Sequence, residues 1–200
     1  MRDERANDQG GHGSLEAAVV ALLMERGMEA FTLAELAARA GVPEDEVGRL
    51  YASEEEAIAI CLREVEARFL DEIAKRLQDA PPEERLRAIV EGCVTQYDWT
   101  LWIDLWSLAL REEWAAELRL ELDEAFRSEL VRLIRAGQAS GAFAAADARR
   151  AAVLISCLLD GFATQATLGD SRISPHYMHR AGLWFVDRLL AASLSRSIGG

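Results

Sequence analysis

The sequence predicts an all-α protein in which a small N-terminal domain of three helices precedes a larger C-terminal helical bundle. Two observations lead to this fold class. Apolar residues recur at helical spacing along almost the whole chain, and no segment alternates apolar and polar residues for long enough to indicate a sheet. With 200 residues, of which 50% are hydrophobic, the chain is also long enough to enclose a buried core.

Residues 31–58 contain the pattern of two short helices joined by a tight turn. Gly41 ends the first helix, and Pro43 suits the first turn of the second. Both helices have an apolar inner face, made by Leu33, Leu36, Ala37 and Ala40 on the first and by Val47, Leu50 and Tyr51 on the second. This arrangement is typical of a helix-turn-helix, whose second helix reads DNA.

Six more helices are predicted after this motif, over residues 53–78, 83–97, 99–110, 113–139, 147–168 and 175–193. Asp79-Ala80-Pro81-Pro82 ends the first of them. Gly137 and Gly141 mark the end of the long fourth one, and Gly169-Asp170-Ser171 separates the last two. Residues 1–13, which are rich in glycine and charge, are predicted to form a flexible tail.

Residues 15–58 resemble the N-terminal domain of the TetR family of bacterial transcriptional regulators. The matching landmarks are Glu25-Arg26-Gly27 at the end of an apolar helix, Phe31-Thr32-Leu33, residues 34–42, which are similar to xxIAxxAGV, and Tyr51-Ala52-Ser53, which is similar to F-x-S. Leu159-Asp160-Gly161 and the helical pattern of the remainder are similar to the family's second domain. The resemblance implies a helix-turn-helix domain at 14–58 and a ligand-binding and dimerisation domain at 59–200, connected by the helix 53–78.

The resemblance also implies which residues would approach DNA. They are Thr32, Pro43, Glu44, Asp45, Glu46, Gly48, Arg49, Tyr51 and Glu54. Recognition helices in this family usually read S-x-G-T-x-Y, and a lysine commonly opens the next helix. This chain has proline, aspartate, glutamate and glycine at the four specified positions of that pattern, and Glu54 in place of the lysine. Compared with the family pattern, the side chains expected to contact phosphates therefore lack a hydrogen-bond donor or carry a negative charge.

The charge of the N-terminal segment opposes DNA binding. Residues 1–58 hold thirteen acids and five arginines, a formal charge of −8, in a chain whose net charge is −12. A carboxylate about 6 Å from a phosphate in water is repelled by roughly 0.7 kcal/mol. Carboxylates in the first turn of a helix are also favoured by the helix dipole, by roughly 0.3–1 kcal/mol each, so structure alone can explain them. Arg49 and the Arg2 and Arg5 segment are the remaining phosphate partners.

Aromatic residues near the middle of the chain have two interpretations. Trp99, Trp102 and Trp106 share a helix face, a spacing more typical of a tryptophan-rich core than of the alternative, an aromatic-walled ligand pocket between bundle helices. An acid beside aromatic rings suits a cationic or hydrogen-bond-donating apolar ligand, so the predicted partner is an apolar or cationic aromatic small molecule. The candidate pocket residues are Cys93, Tyr97, Trp99, Trp102, Trp106, Phe126, Asp160 and Phe162.

The last two helices are apolar over a wider arc than one inward stripe requires, which predicts a homodimer. Regulators of the resembled family pair through these two helices. The candidate interface residues are Val153, Leu154, Cys157, Leu158, Gly161, Gln165, Leu183, Trp184, Val186 and Leu190.

Other functional classes are not supported by motifs. The chain contains no Gly-rich phosphate loop, G-x-S-x-G, H-E-x-x-H or paired E-x-x-H, so we expect neither an enzyme nor a metal or cofactor site. The three cysteines lie in apolar runs and are predicted to be reduced and packed. The absence of an export signal and of a run of about 18 apolar residues predicts a cytoplasmic protein without a membrane span.

Two functions therefore remain open. In the first, the protein is a dimeric, small-molecule-responsive transcriptional regulator that binds operator DNA. In the second, it has lost ordinary operator binding and acts through a basic protein partner or as a ligand-binding module. The family resemblance favours the first function, whereas the charges of the second helix of the motif favour the second.

Overall fold

The computed structural model describes residues 4–95, 98–144 and 147–191, with side chains from Leu15 onward. Within these residues the regular structure is helical throughout, which confirms the predicted all-α class. The helices are α1 (Glu4–Arg26), α2 (Leu33–Ala40), α3 (Glu44–Leu50), α4 (Glu54–Arg76), α5 (Pro82–Thr95), α6 (Trp99–Leu108), α7 (Glu113–Ser140), α8 (Ala148–Thr167) and α9 (Pro175–Ala191).

The chain forms two compact units. Unit 1 comprises Met1–Ala67 and Thr100–Leu120, and unit 2 comprises Arg68–Trp99 and Glu121–Gly200. The helices α4 and α7 each begin in unit 1 and end in unit 2. Residues 100–120 thus group with the N-terminal helices, a division that the sequence-based boundary after residue 58 does not anticipate.

In unit 1, α2 packs against both α1 and α3. The ends of α2 follow from local chemistry: the Thr32 hydroxyl accepts a hydrogen bond from the Glu35 amide at 3.2 Å, and Gly41 adopts a left-handed conformation with φ 70° that closes the helix. Leu36 and Val47 are fully buried, as the apolar pattern predicts. These contacts fix α2 and α3 as a helix-turn-helix pair.

In unit 2, α5 packs against α8 and α9, which also pack against each other. Their shared core contains Leu86, Val90, Leu130, Ile155 and Leu190, all at most 1% exposed. An ion pair between Arg87 and Asp187 joins α5 to α9 at the surface. The buried apolar area is what holds these helices together, since exposed ion pairs contribute only about 0–1 kcal/mol each.

The segment expected to be a tail is helical from Glu4 onward. Extending an existing helix by one residue forms a backbone hydrogen bond without a new nucleation step, so α1 continues backward through a glycine-rich sequence. The end of the last predicted helix, beyond Ala191, lies outside the described residues. No helix in the described part of the chain is both long enough and apolar enough to cross a membrane.

Candidate functional site

The helix α3 presents a surface that we call the acidic face, formed by the exposed side chains of Glu44, Asp45 and Glu46. The other residues predicted to approach DNA are also placed at the surface of this motif: Thr32, Pro43, Gly48 and Arg49 are exposed, and Tyr51 and Glu54 are partly buried. The structure therefore brings the predicted residues together on one small motif. The dominant charge that they carry is negative.

Arg49 is the only basic residue of α3, and it is already paired. Its guanidinium lies 2.6 Å from the carboxylate of Asp45 and donates a second bond, at 3.1 Å, to the Asp45 carbonyl oxygen. Exposed pairs of this kind on one helix are worth only about 0.3–0.5 kcal/mol, so a phosphate could displace the carboxylate. Asp45 would still lie beside that phosphate and repel it.

The other two arginines with described side chains in residues 15–58 are held in the same way. Arg26 lies 2.5 Å from Glu35, and Arg39 forms a bidentate pair with Glu25. The hydrogen bond from Arg39, with the charges of Arg39 and Arg26, lowers the pKa of Glu25, and the same bond raises the pKa of Arg39. All three arginines of this stretch thus neutralise acids of unit 1.

The acids at the start of α4 have structural partners. The Ser53 hydroxyl accepts from the Glu56 amide at 3.2 Å, and the Glu56 carboxylate accepts from the Ala52 amide at 2.5 Å. Glu54 accepts a longer bond from the Leu33 amide, at 3.4 Å. A hydrogen bond to Ser53 lowers the pKa of Glu55. Carboxylates here complete the hydrogen bonding of the helix start, which lysine cannot do.

Tyr51 is partly buried within unit 1. Burial raises its pKa, and Cys61, Glu64 and Glu16 raise it further through their negative charge. The ring therefore lies near α1 and α4. Leu50, which was also predicted to face inward, is 37% exposed, so its assignment to the inner face of α3 was wrong. The role of Tyr51 as a DNA contact stays a prediction.

The aromatic residues predicted to line a pocket are divided between the two units. Trp102, which is 6% exposed, and the partly buried Trp106 belong to unit 1. Within unit 2, Trp99, Phe126 and Phe162 pack against the core that contains Cys93. Tyr97 lies outside the described residues.

A hydrogen bond and a contact between rings position two of the aromatic side chains of unit 2. The Trp99 indole N–H donates to the Cys93 carbonyl oxygen at 2.8 Å, which fixes the ring against α5. Phe162 meets Tyr177 edge to face, with 6.1 Å between the ring centroids. Asp160, one turn before Thr164 on α8, is partly buried, and its carbonyl oxygen accepts from the Thr164 hydroxyl. Trp99, Phe126 and Phe162 therefore each pack against the core that contains Cys93, and their role in binding a ligand stays a prediction.

A polar group in unit 2 was not identified from the sequence. The Arg127 guanidinium, with a side chain 22% exposed, lies 3.3 Å from Asp123 and 3.4 Å from the hydroxyl of the buried Ser156. The spacing of Asp123 and Arg127 is that of a helical ion pair and was readable in the sequence. That Ser156 of α8 faces them is a tertiary contact with no local signal.

The predicted dimer interface is only partly available in one chain. Val153, Leu154, Cys157, Gly161, Gln165 and Trp184 are exposed, and Leu158 and Leu183 are partly buried. Val186 and Leu190 are 2% and 1% exposed, in the core of unit 2, so their assignment to the interface was wrong. Their apolar character is explained by contacts within the chain. Cys157 is also exposed, contrary to the packed thiol expected.

Groups of three or more His, Cys, Asp and Glu side chains that could hold a metal ion are absent from the described residues.

Residues 81–191, more than half of the chain, match the family described as the C-terminal domain of the BetI-type transcriptional repressor. No curated protein sequence matches the chain.

Solved structures share its fold. A transcriptional regulator from Saccharomonospora viridis in complex with choline is similar with a TM-score of 0.77 and 22% identity, over 92% of this chain and 99% of that one. A TetR transcription regulator from Haloarcula marismortui is similar with a TM-score of 0.78 and 21% identity, over 91% of this chain and 99% of that one. The transcriptional regulator FadR from Bacillus subtilis, in complex with stearoyl-CoA, is similar with a TM-score of 0.72 and 18% identity, over 90% of this chain and 98% of that one.

Proposed function

Because the chain belongs to the TetR family of transcriptional regulators, with a C-terminal domain of the BetI repressor type, we propose that it binds operator DNA as a homodimer under the control of a small molecule. The observation that carries the proposal is the family match over residues 81–191, combined with the helix-turn-helix formed by α2 and α3. A ligand would act by binding one conformation of the dimer more tightly than the other.

The ligand that we propose is a small organic cation or a neutral apolar molecule of similar size. The relative from Saccharomonospora viridis binds choline, and aromatic faces attract quaternary ammonium groups. In this chain Trp99, Phe126 and Phe162 offer partly buried rings. These residues support the cationic preference.

Choline and its uncharged isostere 3,3-dimethylbutan-1-ol separate the two ligand classes. We expect choline to raise the melting temperature of the protein and the isostere to raise it less, because only the ammonium group of choline is attracted to the faces of the rings. A shift with the isostere alone would reject the cationic ligand. A Trp99→Leu variant tests the proposed residues, with Trp114→Leu as the matched control, because Trp114 is also partly buried but lies outside the predicted pocket and the predicted interface.

The DNA-binding part of the proposal uses Thr32, Arg49 and backbone amides of α2 and α3, with the Arg2 and Arg5 segment. We would measure the fluorescence anisotropy of labelled genomic fragments, including the region upstream of the gene, at about 50 mM and about 200 mM salt, where phosphate-driven affinity changes steeply. Saturable binding that is selective among fragments supports operator recognition. Absence of binding at the lower salt rejects it.

A second function is favoured by one observation: every arginine with a described side chain in residues 15–58 is paired with an acid. A family member with this motif could act without operator binding, through a basic protein partner or as a ligand-binding module. The same anisotropy measurement separates the two functions, because a ligand-induced melting shift without any DNA binding is expected only for the second.

A further inference from the structure

The helix α6 carries a single charged residue, Asp104, in the otherwise uncharged sequence WTLWIDLWSL. Its carboxylate accepts a hydrogen bond from the backbone amide of Met28 at 2.6 Å, across a sequence separation of 76 residues. The bond is partly buried, and Met28 itself is 3% exposed. A charged acceptor in such a place makes a stronger bond than a neutral one.

The residues around Met28 are held at two further points. Gly27 has φ 78°, and a Cβ atom there would lie 3.3 Å from Asp104 Oδ2, so the turn and the carboxylate are closely fitted. Arg111, just after α6, lies 2.5 Å from Glu29. Asp104 and Arg111 therefore both hold the turn between α1 and α2, and all of these residues belong to unit 1.

We propose that Asp104, supported by the ion pair of Arg111 with Glu29, is the positioning residue of the helix-turn-helix. Because Asp104 holds the turn between α1 and α2, a displacement of α6 moves the start of α2. The turn leads within four residues to Thr32, which caps α2, and α2 packs against α3. A shift at Met28 is thus passed to both helices of the motif.

The position of Asp104 on α6 gives this contact a regulatory use, which rests on the proposed function. Trp102 and Trp106, both candidate ligand-pocket residues, are each two positions from Asp104, and side chains two apart on a helix point away from each other. One side of α6 therefore carries tryptophans and the other carries the carboxylate that holds the turn.

The direct test is hydrogen exchange at the backbone amides of residues 28–33 in the full-length protein. We expect Asp104→Ala to speed exchange at Met28 by about tenfold to a hundredfold, because a hydrogen bond to a charged group is lost. Asp104→Asn keeps an oxygen acceptor and should have a smaller effect. Ser107→Ala, at an exposed position of the same helix, is the control. Unchanged exchange in Asp104→Ala, or an equal rise in the control, would overturn the proposal.

Coupling is tested by a double-mutant cycle with Trp106→Ala. We expect this variant to speed exchange at residues 28–33 when Asp104 is present and to add nothing in the Asp104→Ala background. Additive effects would reject transmission through the carboxylate. If Asp104→Ala loses its helical circular dichroism, Asp104→Asn takes its place in the cycle, since the amide keeps an oxygen acceptor for Met28 without the charge, and the effect of Trp106→Ala should then be reduced.

These measurements need neither DNA nor ligand. Absence of operator binding in the anisotropy assay would therefore reject the proposed function without affecting the double-mutant cycle. Additive exchange rates in the cycle would reject the role of Asp104 without affecting operator binding.

Discussion

At the scale of single residues, Gly92 shows how tightly unit 2 is packed. A Cβ atom at this position of α5 would lie 2.7 Å from Cε2 of Phe69. We expect Gly92→Ala to lower the free energy of unfolding by about 1 kcal/mol, because overpacking costs about 1–3 kcal/mol and alanine recovers only about 1 kcal/mol of helix propensity. Urea unfolding followed by circular dichroism measures the change.

The matched control is Gly48→Ala in α3, where nothing lies within 4 Å of the added atom. This substitution should stabilise the protein by up to about 1 kcal/mol, since only the propensity gain remains. A second check combines Gly92→Ala with Phe69→Leu, which removes the ring that the methyl group meets. If the double variant is no better than the sum of the two single changes, the steric explanation is wrong.

At the scale of helices, the acidic face of α3 is the feature that decides between the two functions. We expect Glu44→Lys combined with Glu46→Thr to raise the affinity for non-specific DNA and to steepen its salt dependence, because each new phosphate contact releases counterions. Neither carboxylate has a hydrogen bond or ion pair among the described residues, so the helix should tolerate the change. Anisotropy titrations with random-sequence DNA over a range of salt concentrations measure the effect.

The control for charge alone is Glu117→Lys with Glu124→Gln on α7, which adds the same positive charge at exposed positions outside α2 and α3. An equal gain in DNA affinity from both pairs would mean that the net charge matters and that α3 does not approach DNA.

The positions of the helices could be predicted from the sequence because turn residues mark their ends. Gly41 closes α2, as expected, and α5 begins at Pro82, one residue before its predicted start. Which side of a helix faces the core is harder to predict. Helical spacing places Val186 and Leu190 on one side of α9 and Trp184 on another, but both sides are apolar, so only tertiary packing shows which of them faces the core.

In the candidate site, contacts within one helix could be predicted from the sequence, whereas contacts between helices could not. The pair of Arg49 with Asp45 follows from helical spacing, whereas Arg39 reaches Glu25 across fourteen residues and Asp104 reaches Met28 across 76. Contacts at such separations depend on how helices pack, which periodicity within one helix does not report.

At the scale of the whole molecule, apolar side chains remain exposed on α8 and α9. Val153, Leu154 and Trp184 are 44%, 38% and 62% exposed. We expect a homodimer that covers them. Leu154→Glu and Trp184→Glu should each weaken it by about 30-fold or more, because a buried carboxylate replaces a large apolar contact. Sedimentation velocity across the micromolar range measures the dissociation.

Leu110→Glu serves as the control, since Leu110 is 86% exposed and lies outside the predicted interface. Sedimentation of the wild-type protein as a monomer would contradict the predicted homodimer. A dimer that withstands both glutamates on α8 and α9 would place the interface elsewhere.

The hydrogen bonds of Glu54 and Glu56 restrict how this regulator could gain affinity for DNA during evolution or design. Reversing their charge would place lysine where the helix start and the Leu33 amide need an acceptor, so the protein would trade stability for attraction. Glu44 and Glu46 carry no such constraint. Selection for tighter DNA binding should therefore accumulate substitutions in α3 and leave the first turn of α4 acidic.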